Sequence, residues 1–117
     1  MERQEIGKAG EEYARKFLIA AGYKILGRNY YCRFGEIDII AKKARTICFV
    51  EVKSLASGGI FDPFQRVTKA KMRNIIKVAK LYLRRRKIED HFIRFDVIGI
   101  VAGKITHMED AFREERR

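Results

Sequence analysis

With 117 residues, 47% of them hydrophobic, the chain is long enough to bury one real core, and a single domain is expected. Twenty-six Lys and Arg against fifteen Asp and Glu leave a formal charge of +11 at pH 7, an excess that suits a polyanionic partner, nucleic acid ahead of a membrane surface. No apolar run approaches the ~18 residues of a spanning helix and Met1-Glu2-Arg3-Gln4-Glu5 carries no signal-peptide core, so a cytoplasmic location with no membrane partner is expected; Cys32 and Cys48, without Cys-x-x-Cys or His-x-x-x-His spacing, indicate neither a disulfide framework nor a zinc site.

In chain order, Ile6, Ala9, Gly10, Tyr13, Ala14, Phe17, Leu18 and Ala21 recur at helical spacing, and Gly22 ends that helix. Strand-like segments follow at about Tyr23 to Asn29, Glu36 to Lys42 and Thr46 to Lys53, making a three-stranded meander. The stretch from Ser54 to Pro63 carries Ser57-Gly58-Gly59 and the only proline and reads as a long loop beginning directly after Lys53. From about Val67 to Arg86 the pattern is helical, with Met72, Ile75, Ile76, Ala79 and Tyr82 inward and Lys69, Arg73, Lys77, Lys80 and Arg84 on an outer face. Two late strands, about Phe92 to Val101 and Lys104 to His107, turn at Ala102-Gly103, and the charged residues from Glu109 onward read as a frayed tail. The order α-β-β-β-α-β-β predicts an α/β three-layer domain, a mixed sheet with one helix over each face.

Three charged residues sit inside these strands: Asp38 in Gly35-Glu36-Ile37-Asp38-Ile39-Ile40, and Glu51 and Lys53 in Phe49-Val50-Glu51-Val52-Lys53. Charges at buried strand positions need a partner or a ligand. Glu51 and Lys53, two apart, leave the same face of the sheet. If the hairpin pairs Lys43 with Thr46 around Ala44-Arg45, Asp38 lies opposite Glu51 with Cβ atoms ~5 Å apart. Two carboxylates so close repel each other, and a hard divalent cation relieves the repulsion; Mg²⁺ fits best, with Mn²⁺ as its substitute. Lys53 is then placed to orient a metal-polarised water or to offset phosphoryl charge. Glu11, at the margin of the first helix's apolar stripe, is a third carboxylate within reach of the sheet edge.

Asp38 followed by Glu51-Val52-Lys53 resembles the Asp and Glu-x-Lys signature of the PD-(D/E)XK nuclease superfamily. Gly7-x-x-Gly10-Glu11, Arg28-Asn29-Tyr30, Cys32-Arg33, Gly35-Glu36-Ile37-Asp38, Phe49 to Lys53 and Arg94-Phe95-Asp96-Val97 together resemble the small YraN-like bacterial family over nearly the whole chain. The resemblance implies the endonuclease-like core shared with restriction enzymes and Holliday-junction resolvases, with Glu11, Asp38, Glu51 and Lys53 as the catalytic positions and Asp38 and Glu51 as the metal ligands. It names no substrate. Related proteins often carry Lys-Gln early in the second helix, whereas here Met72 follows Lys71; Gln65 is the nearest glutamine. Phe34 replaces a small residue and, beside Tyr30, Tyr31 and Arg33, is placed either to stack on an unpaired base or to cover the core.

Between Arg66 and Lys87 there are ten basic residues and no acidic one. A helix face without acidic partners at i,i+4 repels itself, which favours phosphate contact through Arg66, Lys69, Lys71 and Arg73, with Arg33 as a further nucleic-acid-binding residue. The expected function is Mg²⁺-dependent cleavage of DNA, branched or single-stranded, with a homodimer needed for symmetric cutting of junctions. Two other classes stay open: a non-catalytic nucleic-acid-binding module, in which Lys53 neutralises a carboxylate without metal, and a domain that docks an acidic protein. Asp96 reads either as a support of the site or as a partner of Arg94. His91 and His107 show no ligand spacing.

Overall fold

The computed structural model describes residues 3–55, 64 and 67–115, excluding the side chains of 3–6 and 55. Its elements are α1 (Arg3–Ala20), β1 (Lys24–Cys32), β2 (Gly35–Lys43), β3 (Thr46–Leu55), α2 (Lys69–Arg85), β4 (Phe92–Val101) and β5 (Lys104–Phe112). One five-stranded sheet runs β1-β2-β3-β4-β5, antiparallel throughout except for the parallel β3–β4 pair, which α2 joins. This is the mixed α/β fold in the order expected. No helix among the described residues is long and apolar enough to cross a membrane.

The two helices cover opposite faces. Ile75, Val78, Ala79 and Tyr82 of α2 close over Ile37, Ile40, Ile47, Phe49 and Val97, while Ala14 and Leu18 of α1 close over Ile39, Ala41, Cys48, Val50 and Ile98. Residues Ile47 to Val50 are therefore buried from both sides, and the run is apolar without alternation, as a doubly covered strand requires. Each such side chain contributes roughly 1.5–3 kcal/mol by leaving water. Phe49 meets the Tyr82 ring edge-on and stacks on Phe95, which stacks in turn on Phe112.

Thr68 caps α2, its hydroxyl accepting the Lys71 N–H at 3.1 Å. The β2–β3 hairpin pairs Lys43 with Thr46 as expected, although the turn lacks Gly or Asn: Ala44 takes φ of 53° instead.

Four expectations need correcting. The loop expected directly after Lys53 does not begin there, because Ser54 and Leu55 continue β3 in its parallel ladder with Ile100 and Val101 of β4. β1 continues three residues further, to Cys32, and reaches the tip of its hairpin with β2. β5 continues to Phe112, so Glu109 to Phe112 is strand and not frayed tail; the stacking of Phe112 on Phe95 holds it down. The apolar stripe of α1 is narrower than its periodicity suggests, because Tyr13 is 42% exposed and donates its hydroxyl to the Gly103 carbonyl. Most of the expected loop, residues 56–63, and Gln65 and Arg66 lie outside the described residues.

Candidate active site

The carboxyl pair predicted from strand register forms where the ladders fail. β2 pairs with β3 from Lys43↔Thr46 as far as Ile39↔Val50, one step short of Asp38 and Glu51. On its other side β2 pairs Ile39 with Arg28 and Ile37 with Tyr30, leaving Asn29 and Asp38 between these partners. Asn29 takes φ of 48°, a left-handed conformation that Asn tolerates better than most residues. Ile37 and Ile39, two apart, should share a face, yet Ile37 joins the α2 side of the core and Ile39 the α1 side. Asp38 thus sits at a reversal of the strand, and its Oδ2 accepts the Val52 N–H at 2.8 Å. That contact replaces the missing rung and sets Asp38 beside Glu51, where the two carboxyl groups act on each other.

Two carboxyl groups so placed favour a shared proton. Burial first, and then Glu51 beside it, push the Asp38 carboxyl up to about 8; the Val52 N–H and Lys71 oppose the rise. Glu51 is 5% exposed, and its Oε2 is buried without a hydrogen-bond partner. Lys71 Nζ stands 3.7 Å from that oxygen, an ion-pair distance too long for a hydrogen bond. Lys53 is half-buried on β3, on the strand face it shares with Glu51.

Glu11 arrives from α1. Asn29 donates from Nδ2 to Glu11 Oε1 at 2.7 Å and to Glu36 Oε1 at 3.2 Å. Burial raises the Glu11 carboxyl; the Asn29 bond holds it down, and the charges of Asp38 and Glu36 add to the rise. The sequence reading missed both Asn29 and Glu36, although each lies inside a quoted motif: their contact runs between strands and has no periodic signal. Gly10 lets α1 approach closely, since a Cβ there would lie 3.0 Å from Ser54 Cβ.

The basic residues divide. Lys71, expected on phosphate, turns into the acidic site instead. Lys69 and Arg73 are exposed and line a cleft of about 410 Å³ with Met72, Ile76, Lys77 and Lys80, closed on one side by Arg113, Glu114 and Glu115. Glu114 pairs with Lys80. The Arg33 guanidinium lies 4.8 Å from the Phe34 ring centroid. Arg66 is outside the described residues.

Asp96 belongs elsewhere. It is fully buried and accepts Arg94 Nε at 2.9 Å, Arg94 Nη2 at 2.9 Å, His107 Nε2 at 2.7 Å and the Asp110 N–H at 3.0 Å. Burial pushes its carboxyl up, but the bonds from His107, Arg94 and Asp110 outweigh that and leave it below the ordinary carboxylate range. His107, which shows no ligand spacing in the sequence, packs edge-on against Phe17 and Tyr23 and ties β5 to β4.

Among the described residues no group of three or more His, Cys, Asp or Glu side chains is arranged to hold a metal ion. Asp38 and Glu51 are a pair, and Glu11 is engaged by Asn29. Two carboxylates are the donor set Mg²⁺ commonly takes, the remaining positions being water. The orphaned, buried Glu51 Oε2 is the observation that fits such an ion.

The model of a family described as "Uncharacterised protein family UPF0102" matches residues 10–100, a span holding every residue of the pair and its neighbours. Proteins called UPF0102 are similar over nearly their whole length: 47% identical in Persephonella marina, covering 91% of each chain, 40% in Myxococcus xanthus, covering 95% of this chain and 91% of that one, and 45% in Clostridium tetani, covering 94% and 95%.

Proposed function

This chain belongs to the uncharacterised protein family UPF0102, and we propose that it is a metal-dependent endonuclease-like hydrolase of nucleic-acid phosphodiesters, DNA ahead of RNA, with a core similar to that of the PD-(D/E)XK nucleases. The observation that carries this reading is the Asp38–Glu51 pair, half-buried at Asp38 and buried at Glu51, with a carboxyl pushed up to about 8 and an oxygen left without a hydrogen bond. A fold that needed only structural charge would complete those bonds. Such perturbed pairs cluster at functional sites.

Asp38 and Glu51 would hold Mg²⁺, or Mn²⁺ in its place, which supplies a polarised water and neutralises charge on the scissile phosphate. Lys53 donates from Nζ to orient the attacking oxygen and to offset the charge that develops on the phosphoryl group. Glu11, raised and held by Asn29, assists as an acceptor for the water proton. Lys71, 3.7 Å from Glu51 Oε2, offsets negative charge at the pair and opposes the rise at Asp38. Exposed Lys69 and Arg73 contact the phosphate backbone.

The same Lys71 contact favours a second reading, a nucleic-acid-binding module whose acidic pair is neutralised by lysine. End-labelled single-stranded, duplex, flap and junction DNA, and RNA, incubated with Mg²⁺ or Mn²⁺ separate the two. Metal-dependent cutting lost in Lys53→Ala supports the hydrolase. Salt-steep binding without cutting by either protein supports the module.

A further inference from the structure

Resting on the nuclease reading, we propose that the β1–β2 hairpin selects the substrate: Tyr31 stacks on an unpaired base next to the scissile phosphate, so the site takes single-stranded nucleic acid, free or in the arm of a fork or flap, and rejects continuous duplex. Tyr31 is 74% exposed, beside the hairpin tip. Its ladder partner is Glu36, which shares Asn29 with Glu11 and lies two residues from Asp38. At ~3.4 Å per residue Glu36, and with it the rung to Tyr31, stands ~7 Å along β2 from Asp38, close to one nucleotide of an extended strand.

The charges around Tyr31 decide what it contacts. Glu36 and Glu11 repel phosphate oxygens, so the ring meets the uncharged face of a base. Phosphates are drawn to the other side of the tip, where Arg33 and Lys77 both lie over the Phe34 ring, 4.8 and 5.7 Å from its centroid. Arg85 donates to the Tyr30 hydroxyl at 3.4 Å, adding a third cation to that side. An aromatic ring flanked by acids, with Arg33 two residues beyond and Lys77 and Arg85 reaching in from α2, matches a strand whose base and backbone separate across the tip. Stacked duplex offers no free base face to Tyr31.

The test uses the full chain in EDTA, and again with Ca²⁺, and reads fluorescence of 2-aminopurine placed in a single strand, in a fork arm and in a continuous duplex, with anisotropy for affinity. Wild type is expected to quench the single strand and the arm but not the duplex. Tyr31→Ala should abolish the quench and weaken single-strand binding by about tenfold, Tyr31→Phe should restore both, and neither should change duplex binding or the melting temperature. Equal binding of single strand and duplex without quenching, or a Tyr31→Ala protein indistinguishable from wild type, overturns the stacking assignment; persistence of Mn²⁺-dependent cutting then leaves the hydrolase reading standing. Failure of every oligonucleotide to bind overturns both.

Discussion

Lys71 Nζ lies 3.7 Å from Glu51 Oε2, a buried oxygen that no hydrogen bond reaches. The first turn of α2 therefore extends a cation over the sheet to a carboxylate just past the end of the β2–β3 ladder, and the helix otherwise known by its exposed basic face takes part in the acidic site.

The pair is costly without a cation, and Glu51→Gln tests this directly. Removing one charge should leave the metal-free protein as stable as wild type or up to about 1 kcal/mol more stable. The same change should abolish the rise in melting temperature that Mn²⁺ gives the wild type. Thermal melts with and without Mn²⁺, paired with calorimetric titration, check both halves. Unchanged titration would sink the metal assignment.

Stability of the metal-free protein should carry the mark of Asp38. Its folded carboxyl is raised to about 8 against an ordinary 3.8, so folding favours the protonated form. The contribution is complete below about pH 4 and is lost as pH rises through about 8, a decline of a few kcal/mol at most. Denaturant titrations across that range should show the decline in wild type and its absence in Asp38→Asn. Metal affinity should rise over the same interval, because the ion displaces the shared proton.

Asp96 behaves in the opposite sense. Its carboxyl is depressed by His107, Arg94 and Asp110 against the effect of burial, so its contribution is present above about pH 4 and lost as pH falls further. Asp96→Ala leaves the Arg94 cation, 22% exposed, without its principal partner and should cost about 3–5 kcal/mol, close to unfolding the domain. Chemical denaturation of Asp96→Ala and Asp96→Asn measures this; metal titration of the milder variant should match wild type, since the network is separate from the site.

Lys69→Ala and Arg73→Ala should each weaken DNA binding uniformly across sequences and lower the salt slope by about one. Lys80→Ala should have less effect, as Glu114 already occupies that cation. Fluorescence anisotropy over a salt series distinguishes them.

Glu51, Lys53 and the hairpin that brings Asp38 beside Glu51 were legible in the chain because each depends on local periodicity: alternation along β3, and a turn that closes on Lys43 and Thr46. The order of elements, the full extent of β4 and the outer basic face of α2 were legible for the same reason. The sequence by itself determined that Asp38, Glu51 and Lys53 stand inside strands; that Asp96 is a fully buried charge, in addition to the buried Glu51, was decided by the fold. Only the tertiary structure decided what they touch: the reversal at Asp38, the Asn29 bridge from Glu11 to Glu36, the turn of Lys71 into the site, and the binding of His107 and Asp110 to Asp96. Each of these joins residues from different elements, or sits at a ladder irregularity, where the 2- and 3.6-residue periods that make a sequence readable carry no information.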